Sequence, residues 1–221
     1  MSGISNLKGE HIEIEISGKM GFRGILVDTG LDIIVLYDGN KYFYIPFNHI
    51  QNIKKSQPVE EMIELGKDLP SLSDLDSISY RKILTNARGR FVEIFVSGNK
   101  TIHGYITSVL NDFLVFYSPV FKTMFISLHH IKWIIPYSSN LTPYTLNSEK
   151  LPVQPTNIPI SRSFEEQLKK EEGKLVVFDA GDHPNKIGLL KSVQNNIVEL
   201  ITADGETTYW KLLHLKMVHL P

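Results

Sequence analysis

The strongest constraint on this chain is that its second half echoes its first at a fixed spacing. The run Phe91-Val-Glu-Ile-Phe-Val-Ser-Gly98, then His103-Gly104 leading to Asn111-Asp112, reads as two strands joined by a turn. Phe113 to Tyr117, Thr123 to Ile126 and Ile131 to Ile135 add three more short runs rich in β-branched and aromatic residues. Shifted by 80 residues the same order stands earlier, with Gly18 under Gly98, Gly24 under Gly104, Asp32 under Asp112 and Tyr37 under Tyr117. Shifted by 84 the other way it returns as Leu175 to Phe178, Gly188 to Val193, Asn196 to Leu200, Thr207 to Trp210 and His214-Leu215. One physical account must therefore serve all three stretches. Five short strands with turn residues between them predict a small antiparallel barrel.

A chain of 221 residues holds three such units with connectors between them. Units of about 45 to 50 residues bury little apolar surface alone, so packing on one another or on partner chains is expected. With 42% hydrophobic and 21% charged residues the composition is that of an ordinary globular protein. No apolar run reaches the ~20 residues a bilayer helix needs. The opening residues lack an apolar signal core, which predicts synthesis in the cytoplasm. The absence of cysteine excludes disulfides, thiolate catalysis and sulfur-based zinc sites. Lys and Arg against Asp and Glu give −1 over 9–55, +2 over 89–137 and 0 over 173–221, so no unit has the basic surplus of a phosphate-backbone binder.

Taken in order, residues 1–55 are expected to form the first barrel, 56–76 a linker, 77–137 a helix and second barrel, 138–160 a proline-rich linker, and 161–221 a helix and third barrel. Ile12, Ile14 and Ile16 alternate with Glu13 and Glu15, the pattern of a half-buried strand. Asp38-Gly39-Asn40 supplies hairpin-turn chemistry. In the first linker Met62, Ile63 and Leu65 gather on one side of two helical turns over 59–66, and a firmer helix is predicted over 77–85. Prolines at 143, 152, 155 and 159 predict an extended second linker. Ser163-Phe-Glu-Glu166 reads as a capping box opening a helix that stops at Gly173.

Helix, then five bent strands with glycine in the second, resembles the Sm-like fold. The resemblance rests on Gly104 in Thr101-Ile-His-Gly-Tyr-Ile-Thr-Ser-Val-Leu-Asn-Asp112, on Gly24 and Gly188, and on the short last strand. It implies three tandem Sm-like, SH3-like barrels in a mainly β protein. Tyr44-Ile-Pro-Phe-Asn-His-Ile50 and Phe125-Ile-Ser-Leu-His-His-Ile131 also resemble uncharacterised small Bacillus proteins and the C-terminal domain of the spore-coat protein GerQ. RNA-binding Sm proteins clamp a base with a loop Asn and a later Arg-Gly pair. Here Asn111-Asp112 and Asn195-Asn196 stand near the first position, Leu31-Asp32 in unit one, and Phe47-Asn48, Leu128-His129 and Leu213-His214 replace Arg-Gly. The RNA site is not transferable to any unit.

Of the chemistry-bearing residues, His49, His130 and His214 recur before the last strand, with His129 beside one of them. Imidazole is a common metal ligand, yet no carboxylate recurs with them, and each ring is expected to hydrogen-bond the backbone of its turn. Glu13 and Glu15 form no converging acid pair, and nucleophile-elbow, phosphate-loop, dinucleotide and His-Glu-x-x-His motifs are absent. Hence no catalytic, cofactor or metal residues are assigned and no small-molecule substrate is expected. Phe91, Phe95, Tyr105, Phe113, Phe116, Tyr117, Phe121, Phe125 and Trp133 crowd unit two, suiting contact between units more than base stacking. The sequence thus predicts a non-enzymatic assembly protein with protein partners or itself as partner, joined through β-edges; the alternative is a single-stranded nucleic-acid binder. The GerQ resemblance adds deposition on a spore coat and cross-linking through Lys54, Lys55, Lys169 and Lys170 in exposed connectors.

Overall fold

The computed structural model describes residues 2–57, 78–98, 100–138, 143–145 and 159–221. The helix expected over 59–66 lies outside these residues. In chain order the first elements are helix α1 (Ser2–Ser5) and strands β1 (His11–Ile16), β2 (Met20–Thr29), β3 (Ile33–Tyr37), β4 (Tyr42–Pro46) and β5 (Ile50–Lys55). Then come α2 (Tyr80–Asn86), β6 (Phe91–Val96), β7 (Lys100–Val109), β8 (Phe113–Ser118), β9 (Lys122–Ser127) and β10 (Ile131–Pro136). The last are α3 (Phe164–Lys169), β11 (Leu175–Phe178), β12 (Ile187–Gln194), β13 (Ile197–Ile201), β14 (Thr207–Lys211) and β15 (Met217–His219). The protein is mainly β with few, short helices, as its patterning predicts.

Two compact units divide the chain, one from Met1–His103 with Ile131–Thr142 and one from Gly104–His130 with Pro143–Pro221. The first holds an open antiparallel sheet in the order β6–β10–β4–β3–β2–β1–β5. Its core gathers Ile12, Ile14, Ile16, Leu26, Ile34, Leu36, Phe43, Ile45, Phe95, Trp133 and Ile135, with the Phe95 and Trp133 rings stacked at 3.8 Å. The second unit runs β14–β13–β12–β11–β15–β9–β8, with the Gly104 end of β7 after β8. There Phe113, Phe125, Phe164, Leu168, Val176, Phe178, Leu190 and Val198 make the core.

The glycines singled out in the sequence have a steric reason. A Cβ on Gly24, Gly104 or Gly188 would stand 2.2, 2.1 and 2.2 Å from the carbonyl oxygen of Tyr37, Tyr117 and Ile201 respectively, closer than any side chain tolerates. Immediately beyond each glycine the ladder slips by one residue, between Leu26 and Asp28, Ile106 and Ser108, and Leu190 and Ser192. Such bulges sharpen the bend of a strand, and a residue without Cβ lets the neighbouring backbone close over it.

The helices are set by their caps. Ser79 accepts from the Lys82 N–H and Ser163 from the Glu166 N–H, so half of the expected capping box is present. The Glu166 carboxylate instead pairs with Lys169 at 2.8 Å. The helix predicted over 77–85 occupies Tyr80–Asn86 and buries Ile83 and Leu84. Helices α2 and α3 are also pinned at their first residues by aspartates from β-turns: Asp32 accepts from the Tyr80 N–H at 2.6 Å, and Asp112 from the Phe164 N–H at 2.9 Å.

Candidate functional site

Strand β10 adds to two neighbours within the first unit. Ile134 stands opposite Ile94 of β6 on one side and Tyr44 of β4 on the other. Within the second unit β15 does the same, with Val218 opposite Phe178 of β11 and Phe125 of β9. The two junctions share one register. Tyr44 and Phe125 each face the third residue of the preceding strand, Val35 and Val115, while Ile94 and Phe178 are each the fourth residue of theirs. All five residues of β4 and all six of β10 are buried, since each strand is covered on both sides.

Two strands lack that cover. Among the described residues β5 pairs only with β1, and β14 only with β13. Ile53 of β5 faces Ile14, the fourth residue of β1, and Tyr209 of β14 faces Glu199, the third of β13. They therefore occupy the ladder steps that Ile134 with Val218 and Tyr44 with Phe125 fill elsewhere. Exposure follows pairing: Tyr44 is 1% and Phe125 2% exposed, whereas Tyr209 is 68% exposed.

The three histidines close equivalent three-residue 3-10 turns, Phe47–His49, Leu128–His130 and Leu212–His214. They do not converge. His49 Nδ1 lies 3.3 Å from the Ser17 hydroxyl, and His130 Nε2 lies 2.7 Å from the carbonyl of Leu213, a different turn from its own. Burial holds the His130 ring below the usual imidazole range. Among the described residues no group of three or more His, Asp or Glu is placed to hold a metal ion.

A buried charge cluster escaped sequence reasoning. Asp179 and Ala180 adopt left-handed φ angles of 51° and 55° in the loop between β11 and β12. The buried Asp179 carboxylate accepts from Lys186 Nζ at 2.6 Å and from the N–H groups of Lys216 and Met217 at 2.8 and 3.2 Å. Burial opposes the charge on Lys186, but Asp179 and then Asp182 outweigh it and keep the amine above its ordinary range. Nothing in the local spacing marks this cluster, because the Lys216 and Met217 donors come from a distant strand. It closes on itself, every partner of Asp179 being a loop or backbone group, which fits a fixed loop better than a reacting one.

The aromatics concentrated in 91–133 do not form an exposed stacking platform: Phe95, Phe113, Phe116, Phe125 and Trp133 are buried and Phe91, Tyr105, Tyr117 and Phe121 half-buried. The lysines proposed for cross-linking also stand differently. Lys54 and Lys55 belong to β5 and pair with Glu13 and Glu10, Lys169 ends α3 paired with Glu165 and Glu166, and Lys170 donates to the Pro159 carbonyl. For Lys54 and Lys55 the connector assignment is corrected: they stand opposite Glu13 and Ile12, so the ladder with β1 extends that far.

Residues 163–218, from the start of α3 into β15, match the model described as the YwrJ third domain. The whole chain aligns with the uncharacterized protein YwrJ of Bacillus subtilis (strain 168), 48% identical over 225 residues and covering all of both chains. The chain belongs to the YwrJ family. In YwrJ terms the matched third domain is the ladder β11 to β15 with α3, which contains both the covered strand β15 and the uncovered strand β14. No described helix is long and apolar enough to cross a membrane.

Proposed function

We propose that this chain is a non-enzymatic structural protein, three copies of one five-stranded Sm-like unit, that works by adding sheet edge to sheet edge. The observation that carries the reading is the pair of junctions Ile134 to Tyr44 and Val218 to Phe125, two strand additions made at one ladder step. Edge addition gives affinity through main-chain hydrogen bonds and specificity through the side chains it buries. The three bulges at matching positions and the family description of a third domain support the threefold repeat. The turn aspartates Asp32 and Asp112, near the place where a base would be clamped, are engaged with helix N–H groups, which favours assembly over RNA binding. Deposition of the assembled protein on a spore coat, after synthesis in the cytoplasm, rests on the GerQ resemblance.

The test is the native size of the protein in an extract of its own cells, together with fluorescence titration of the purified chain against oligouridine and oligoadenosine at two salt concentrations. A particle well above 25.2 kDa and no saturable oligonucleotide binding are expected. Monomer mass in the extract, with micromolar oligonucleotide affinity that collapses as salt rises, would replace this reading by nucleic-acid binding.

A further inference from the structure

We infer that the outer edge of β14 and the outer edge of β5 are two halves of one interface, and that a second copy of this chain completes it. The inference rests on the assembly reading and names its partner. Inside the chain the strand type represented by β10 and β15 adds to the strand type represented by β4 and β9, both times in one register. One strand of each type is left over. Among the described residues β5 is the uncovered counterpart of β10 and β15, and β14 the uncovered counterpart of β4 and β9.

Carrying the internal register across sets Ile53 of one copy opposite Tyr209 of the next. The neighbouring steps follow from the antiparallel ladder of β15 on β9, where His219 faces Met124 and Met217 faces Ile126. They place Lys54 opposite Thr208 and Asn52 opposite Trp210. The exposure pattern agrees with a missing strand. Tyr209 is 68% exposed where its counterparts are 1% and 2%, and β5 shows four exposed residues where β10 shows none. A tyrosine held open at the centre of a strand edge is the kind of anchor that dominates an interface, and an unpaired edge recruits another strand unless something blocks it.

The contact is heterologous, since the two edges differ, so copies join head to tail and either close into a ring or extend as a filament. An isologous pair of two β5 edges or two β14 edges is excluded by the proposal.

Because the chain contains no cysteine, introduced thiols report the interface cleanly. Chains carrying Lys54→Cys and chains carrying Thr208→Cys, mixed and oxidised, are expected to give the mixed disulfide dimer and no dimer of either variant with itself. Light scattering of the unaltered protein is expected to show mass rising above 25.2 kDa with concentration, and Tyr209→Ala, which removes the exposed ring without setting a second carboxylate opposite Glu199, to weaken the association by about tenfold or more with an unchanged circular dichroism spectrum. Homodimeric disulfides, or association that Tyr209→Ala leaves intact, would overturn the inference. So would a purified chain that stays monomeric at every concentration; if the extract particle then remains large, the second copy is refuted and the assembly reading survives with a different protein partner.

Discussion

Asp179 and Lys186 meet at 2.6 Å with the carboxylate fully buried, and the same carboxylate caps the backbone entering β15. Removing one partner of a buried pair leaves an uncompensated charge, a loss of about 3–5 kcal/mol. Asp179→Ala should fall in that range because it also orphans the Lys216 and Met217 N–H groups. Urea denaturation followed by far-ultraviolet circular dichroism checks it, and Asp179→Ala combined with Lys186→Met should cost less than the two single changes added together.

Alanine at the bent-strand glycines has nowhere to go. Gly24→Ala, Gly104→Ala and Gly188→Ala each force a Cβ onto a carbonyl oxygen about 2 Å away, so each should lose stability at the upper end of the 1–3 kcal/mol typical of overpacking, or more. Gly21→Ala is the control. Its Cβ would meet only the Ile14 carbonyl at 3.8 Å, an ordinary contact, and its midpoint in urea should stay close to that of the unaltered chain.

The helix pins are separable from the caps. Asp32→Ala withdraws the acceptor from the Tyr80 N–H and Asp112→Ala that from the Phe164 N–H, each at a cost of about 0.5–2 kcal/mol. Amide exchange localises the effect: protection should drop in the first turn of α2 for the one and of α3 for the other, with β1 and β13 unchanged.

Acid should weaken the second unit before it reaches the carboxylate range. Burial depresses both His130 and His219 below the ordinary 6.5, so the folded state prefers the neutral rings. Between the depressed value and 6.5 the unfolded chain binds more protons than the folded one, and stability therefore rises with pH. It is complete above 6.5 and is lost as pH falls through that window. Urea midpoints at pH 5.5 and 7.5 should differ in that direction, and His219→Leu, packed against Phe121, should narrow the difference.

Much of the fold could be read from the residues, for identifiable reasons. Alternation in Ile12, Ile14 and Ile16 is a period-2 signal that local sequence carries whole, and Gly24, Gly104 and Gly188 mark bulges because no other residue fits beneath the adjoining carbonyl. The Asp179 cluster was invisible for the opposite reason, its donors being brought in by β15 from 37 and 38 residues away. Tyr209 and Tyr44 are the same residue type at the same ladder step, so exposure at one and burial at the other depends on which strand arrives alongside. Periodicity holds no record of that.

The shared registers carry a cost in the order of folding events. A β2 segment and a β12 segment present the same slip after the same glycine, so during refolding a strand can enter the place of its counterpart, in its own chain or another, and pair there without a mismatch to reject it. Dilution and slow removal of denaturant should accordingly raise the yield of correctly threaded chains, since exchange between molecules is the part of this confusion that concentration controls.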